Sequence, residues 1–171
     1  KLLYNTNWCK EEDFFTTETT GDHWDYRLVT KKVIPNSFSQ NYLDQTATIA
    51  SHLIESVFKG RELSAGYRQA IDEFESKKTV LASLVDSDWQ KADKQLATLT
   101  LNRLLRETPV LTFYRLVMYH AVNGERLLQR MSHWSPTLSS DGKLVRIGNF
   151  GWFGASVYGW PHRGKNDNLG V

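Results

Sequence analysis

The chain has 171 residues, 40% hydrophobic and 12% aromatic, with a formal net charge of +2. That is one domain's worth of sequence, long enough to bury a core without staples, and the charge is too mild to demand a polyanionic partner. A lone cysteine, Cys9, excludes an internal disulfide and a thiolate metal cluster, and it fits a reducing compartment such as the cytoplasm.

Taken in order, residues 1–37 mix aromatics (Tyr4, Trp8, Phe14, Phe15, Trp24, Tyr26) with a Thr-rich run at Thr16–Thr20 and a turn at Gly21-Asp22. Irregular structure is expected there, with one or two strands near the extended YRLVTKKVIP. The opening KLLYNTNWCKEEDFF has too short an apolar core for a signal peptide, and no later run approaches a bilayer span. A water-soluble protein is therefore expected, and a start at Lys1 rather than Met suggests a processed or excised chain.

Helical periodicity begins after Pro35-Asn36-Ser37. Over about 38–59, Tyr42, Thr46, Ile49, Leu53 and Val57 share one face and Gly60 closes the helix. Leu63, Tyr67, Ile71, Phe74, Leu81 and Val85 repeat the pattern over 62–85. Asp86-Ser87-Asp88 caps a third helix at 88–106, which Thr108-Pro109 interrupts.

The stretch from Thr108 to Met131 is the most continuously apolar in the chain, so it is expected at the centre of the core. Asn123-Gly124 suits either a hairpin turn or a helix end. Thr108 as cap and Pro109 at the first helical position favour a helix over 109–122. These readings give a mainly-α fold: a bundle-like core of three to four helices within 38–131, flanked by an irregular or extended segment (1–37) and an aromatic, Gly-rich segment (132–171), all one domain.

Beyond Met131, Lys143–Ile147 reads as a short strand and GNFGWFGASVYGWPHRG follows, too rich in glycine for a helix; this run is expected either to wrap back and bury its rings on the helices or to be an arm that folds onto another molecule. The closing KNDNLGV is expected to fray. This C-terminal third is the positive end, with Arg126, Arg130, Lys143, Arg146, Arg163 and Lys165. Those cations lie near Phe150, Trp152, Phe153, Tyr158 and Trp160, and Trp, Tyr and Arg are the residues enriched in protein interfaces.

Candidate chemistry is sparse. His23 and Asp25 stand two apart, His120 follows far downstream, and Arg130 comes ten positions later. That order resembles the iron and 2-oxoglutarate oxygenases, in which a His-x-Asp pair and a distant His form a facial metal site and an Arg holds the co-substrate. The resemblance implies a barrel of strands between the two histidines, where this chain reads as helices. His52 and Glu55 stand three apart on a helix, the spacing of ligands in helical metal bundles.

No phosphate-binding glycine loop, GxSxG elbow or HExxH occurs. The expectation is a non-catalytic, helix-rich interaction module without a cofactor: a subunit, adaptor or neutralising partner docking on another protein through Phe150, Trp152, Phe153, Tyr158, Trp160 and Arg163. A metal-dependent enzyme using His23, Asp25 and His120, or His52 and Glu55, is the alternative. Nucleic-acid binding by the basic, aromatic end is a third and disfavoured reading, since its cations are scattered rather than striped.

Overall fold

The structure is a computed structural model that describes residues 1–20 and 33–171. The expected bundle is only half of it. About half of the residues are helical, and the C-terminal part forms a curled four-stranded sheet. The sequence called for one short strand there, and three full strands form.

Two short helices, α1 (Thr6–Glu11) and α2 (Phe14–Thr17), open the chain. They stand where irregular structure was expected. The extended YRLVTKKVIP falls largely outside the described residues. Helix α3 (Tyr42–His52) starts at Asn41, whose side chain accepts from the Asp44 amide at 2.8 Å, and it runs into a π turn at Leu53–Val57. Helix α4 spans Ala65–Ser87.

The single helix expected over 88–106 is two, α5 (Trp89–Thr98) and α6 (Thr100–Leu105). Asp88 caps α5 by accepting from the Lys91 amide at 3.1 Å. Leu99 then turns extended, with ψ 129°, so that both Leu99 and Leu101 are buried. Side chains compensate the broken ladder: Asn102 Nδ2 donates to the Leu96 carbonyl at 2.9 Å, and the Thr100 amide donates to Glu73 of α4 at 3.0 Å.

Helix α7 (Pro109–Asn123) has the predicted ends. The Thr108 hydroxyl accepts from the Leu111 amide, Pro109 leads, and Gly124 closes the helix at φ 70°. Its place differs from expectation. Instead of filling a bundle it lies against the sheet, and Tyr114, Met118 and Val122 stay exposed.

Strands β1 (Ser132–Leu138), β2 (Leu144–Gly151) and β3 (Gly154–Trp160) form an antiparallel meander, and β4 (Leu169–Gly170) pairs parallel to β1 on the outside. Alternation along the strands divides the two faces. Trp134, Leu144 and Leu169 join the helical cluster of Tyr42, Phe74, Leu81, Leu96 and Leu101. Val145, Ile147 and Val157 meet Cys9, Phe14, Val110 and Phe113 instead, while Phe150 and Ala155 meet Leu116 of α7. The sheet is thus a middle layer between α3–α6 and the group formed by α1, α2 and α7.

Both sheet edges are partly occupied. Along β3, the Tyr4 amide donates to the Ala155 carbonyl at 2.9 Å and the Ala155 amide to the Leu2 carbonyl at 2.8 Å. The Asn5 side chain extends this pairing by bonding both the amide and the carbonyl of Val157. Gly154 is required here: its φ is +98°, and a Cβ would lie 2.6 Å from the Leu2 carbonyl carbon. At the other edge the Ile34 amide donates to the Val171 carbonyl at 2.6 Å. The ending expected to fray is therefore a strand with Leu169 fully buried.

Candidate docking surface

The aromatic, Gly-rich segment does two different things. Phe150 is fully buried against α7, with the His120 ring edge-on at 5.8 Å. Tyr158 lies 6.2 Å from Trp8, and Arg146 stacks over Trp160 at 3.9 Å, so both rings are partly covered. Between them, Trp152 and Phe153 form the β2–β3 turn and are 88% and 73% exposed.

That turn is held from behind. The register shifts between Gly148 and Gly151, which brings Phe150 onto the face that Val145 and Ile147 share, and the last strand pair, Gly151 with Gly154, leaves Trp152 and Phe153 in the turn beyond the sheet. Arg126, in the loop after α7, donates to the Gly151 carbonyl and places its guanidinium 4.8 Å from the Phe150 ring and 6.0 Å from the Trp152 ring. Tyr4 packs edge-on to Phe153 at 6.4 Å, with the Lys1 ammonium 5.7 Å from the Tyr4 ring. Leu2 and Tyr4 are 46% and 48% exposed. The result is a protruding apolar knob flanked by two cations. Arg126 and Lys1 were not among the expected binding residues, although Arg126 lay in the positive end.

Arg163 sits apart from this knob. Its Nε donates to the Val85 carbonyl at 2.6 Å and its guanidinium lies 3.8 Å from Asp86, which ties the C-terminal arm to the end of α4. Beside it, His162 Nδ1 meets Asp93 at 2.5 Å with both residues buried. The Tyr42 amide donates to the His162 carbonyl, and Gln45 Nε2 donates to the Leu169 carbonyl at 2.9 Å. From the sequence alone His162 is expected to be exposed, whereas it is buried, and Asp93 and Gln45 are not singled out.

A second buried polar group lies between α3 and α6. Arg106 stacks on the Tyr42 ring at 4.1 Å and donates to Asn102 Oδ1 at 3.0 Å, and Asn102 in turn accepts from the Thr46 hydroxyl. Burial pushes the Tyr42 hydroxyl up to about 12 and lowers Arg106 from its ordinary value.

The nearest approach to a catalytic set is at the start of α7. The Thr112 hydroxyl lies 3.1 Å from Glu107 and 3.3 Å from His133 Nε2, while Arg115 pairs with Glu107 at 2.8 Å. His133 Nδ1 faces the Trp134 carbonyl at 3.1 Å, so this nitrogen carries the proton, and Nε2 faces the hydroxyl oxygen, whose own proton goes to Glu107. Burial pulls His133 down to about 4. A hydroxyl beside a neutral imidazole has the geometry of a nucleophile and base. Thr112 has no exposed surface, however, so the arrangement fixes the Glu107 turn rather than meeting a substrate.

Of the metal candidates, His23 and Asp25 lie outside the described residues. His120 is on α7 against Phe150, and Arg130 is exposed in the following loop. His52 ends α3 and Glu55 stands exposed in the π turn. Among the described residues no three His, Cys, Asp or Glu side chains are grouped to hold a metal ion. Cys9 is buried, and burial pushes its thiol up to about 12, away from thiolate chemistry.

A surface hollow of about 540 Å³ is lined by Gln90, Lys94, Leu138, Ser140, Asp141 and Gly142. Asp141 is already engaged there, by the Ser139 hydroxyl at 2.6 Å and Lys143 at 2.5 Å. Among the described residues, no helix is long and apolar enough to cross a membrane. A scan against protein-family models, a search of curated proteins and a search of solved structures each returned no match.

Proposed function

We propose that this chain is a non-catalytic interaction module that docks on another protein through the β2–β3 turn. The observation that carries the reading is the exposure of Trp152 and Phe153, two adjacent large rings, on a turn held by Arg126. A turn already ordered loses little conformational freedom on binding, and Trp and Arg are the residues that dominate binding energy in protein interfaces. Tyr114, Met118 and Val122 recur four apart on the outer face of α7 and supply further exposed apolar surface.

The expected docking set narrows accordingly. Trp152 and Phe153 remain at its centre, and Leu2, Tyr4, Lys1 and Arg126 join them. Phe150 supports the turn from the core, and Arg163 anchors the arm.

The test uses the full chain and a Trp152→Ala/Phe153→Ala double variant in parallel native mass spectrometry of extracts from the source. A partner chain that accompanies the parent and is absent from the double variant is expected. A complex of equal abundance with both chains would contradict the reading.

A further inference from the structure

We propose that the surface receiving the turn is acidic: an apolar recess on a partner protein, rimmed by carboxylates. This inference rests on the docking reading above and adds the partner's chemistry. Trp152, Phe153, Tyr4 and Leu2 make a convex apolar group, which requires a concave apolar counterpart. Its flanking charges have one sign. Lys1 sits over Tyr4, and Arg126 sits over Phe150 and Trp152. Glu125, next to Arg126 in sequence, accepts from the Tyr119 hydroxyl at 3.3 Å, which directs it back toward α7.

A guanidinium packed on a ring keeps its edge N–H groups free to fork onto a carboxylate. Only the Gly151 carbonyl takes one of them among the described residues. Carboxylates at the partner's rim would therefore meet two cations already held in place by rings, which fixes register and speeds encounter.

Other acidic surfaces fit less well. A nucleic-acid strand calls for a run of cations that tracks its phosphates, and the knob has two. An anionic bilayer is recognised by clusters of about four to eight basic residues, again more than the turn offers.

The experiment selects ligands from a random phage-displayed peptide library on the immobilised full chain, then measures the enriched synthetic peptides by calorimetry at low and high salt. Circular dichroism checks that every variant remains folded. Peptides combining apolar residues with Asp or Glu are expected. Their affinity should fall at least about tenfold in Trp152→Ala/Phe153→Ala and in Arg126→Glu, and should weaken with salt.

Peptides that need the two rings but carry no acidic bias, or that ignore Arg126→Glu, would overturn the acidic-partner inference and leave the docking reading standing. An absence of enrichment, or peptides that bind the double variant equally, would overturn both. A third arm tests phosphatidylserine/phosphatidylcholine vesicles: cosedimentation of the parent that is lost in the double variant would assign the turn to a lipid surface and overturn the protein-partner proposal.

Discussion

Within the short run from Phe150 to His162, side chains of similar chemistry meet opposite surroundings. Phe150 and His162 are buried, one under α7 and the other against Asp93, while Trp152 and Phe153 project into solvent from the turn between them. Hydrophobicity cannot explain this division, since the exposed pair is at least as apolar as the buried one. Position on the backbone explains it: Phe150 lies within the paired strand, on the face under α7, whereas Trp152 and Phe153 lie in the turn beyond the last pair, Gly151 and Gly154. The region thus holds a structural arm and a displayed knob, and they should respond to change in opposite ways.

The most severe way to break the comparison is to remove the arm. Ending the chain after Trp160 deletes β4, the Asp93 partner and the groups that bond Tyr42 and Gln45. Loss of the cooperative melting transition is expected in calorimetry. Deleting residues 148–171 should do the same, because that cut also removes β3 and Phe150. Such a truncation therefore cannot separate docking from folding.

A point change in the arm comes next. His162→Ala leaves a buried Asp93 side-chain oxygen without its hydrogen-bond partner at 2.5 Å, and orphaning a buried polar group destabilises by about 1–3 kcal/mol. Urea denaturation of parent and variant measures it.

Acid sharpens the contrast between interior and turn. His133 is held near 4 in the folded chain against an ordinary 6.5. As pH falls below 6.5 the unfolded chain takes up a proton that the folded chain refuses, so stability is complete above 6.5 and declines until about pH 4. Urea midpoints measured across that window should fall for the parent, and the decline should be shallower in His133→Gln.

The smallest structural effect is expected at the knob, where Trp152→Ala/Phe153→Ala should alter folding stability by less than about 0.5 kcal/mol because the rings touch little of the core.

Helix ends were the most legible part of the fold. Thr108, Pro109 and Gly124 mark α7, and Asp88 marks α5, because capping is local chemistry written in adjacent residues. Location was not legible in the same way. The apolar stretch of α7 suited a bundle centre as well as a sheet face, and only tertiary contacts put Leu116 on Phe150 while leaving Met118 exposed.

Strand β3 and the second half of β2 escaped notice for a related reason. Gly148, Gly151, Gly154 and Gly159 interrupt any period-two pattern, and two of these glycines are there because another backbone passes close by: Ser132 beside Gly148 and Leu2 beside Gly154.

For the candidate surface, the aromatic composition drew attention to the segment but did not tell which of its rings would be displayed. Arg126 behind Gly151, and Asp93 against His162, are contacts between residues distant in sequence, and spacing carries no trace of them.

The most direct measurement is the melting temperature of Trp152→Ala/Phe153→Ala beside its capacity to form the proposed complex. A melting temperature equal to the parent's, together with loss of the partner, is the predicted result. A substantially lower melting temperature would make the two rings part of the core, and an intact complex would place the docking surface elsewhere; either would contradict the division between arm and knob.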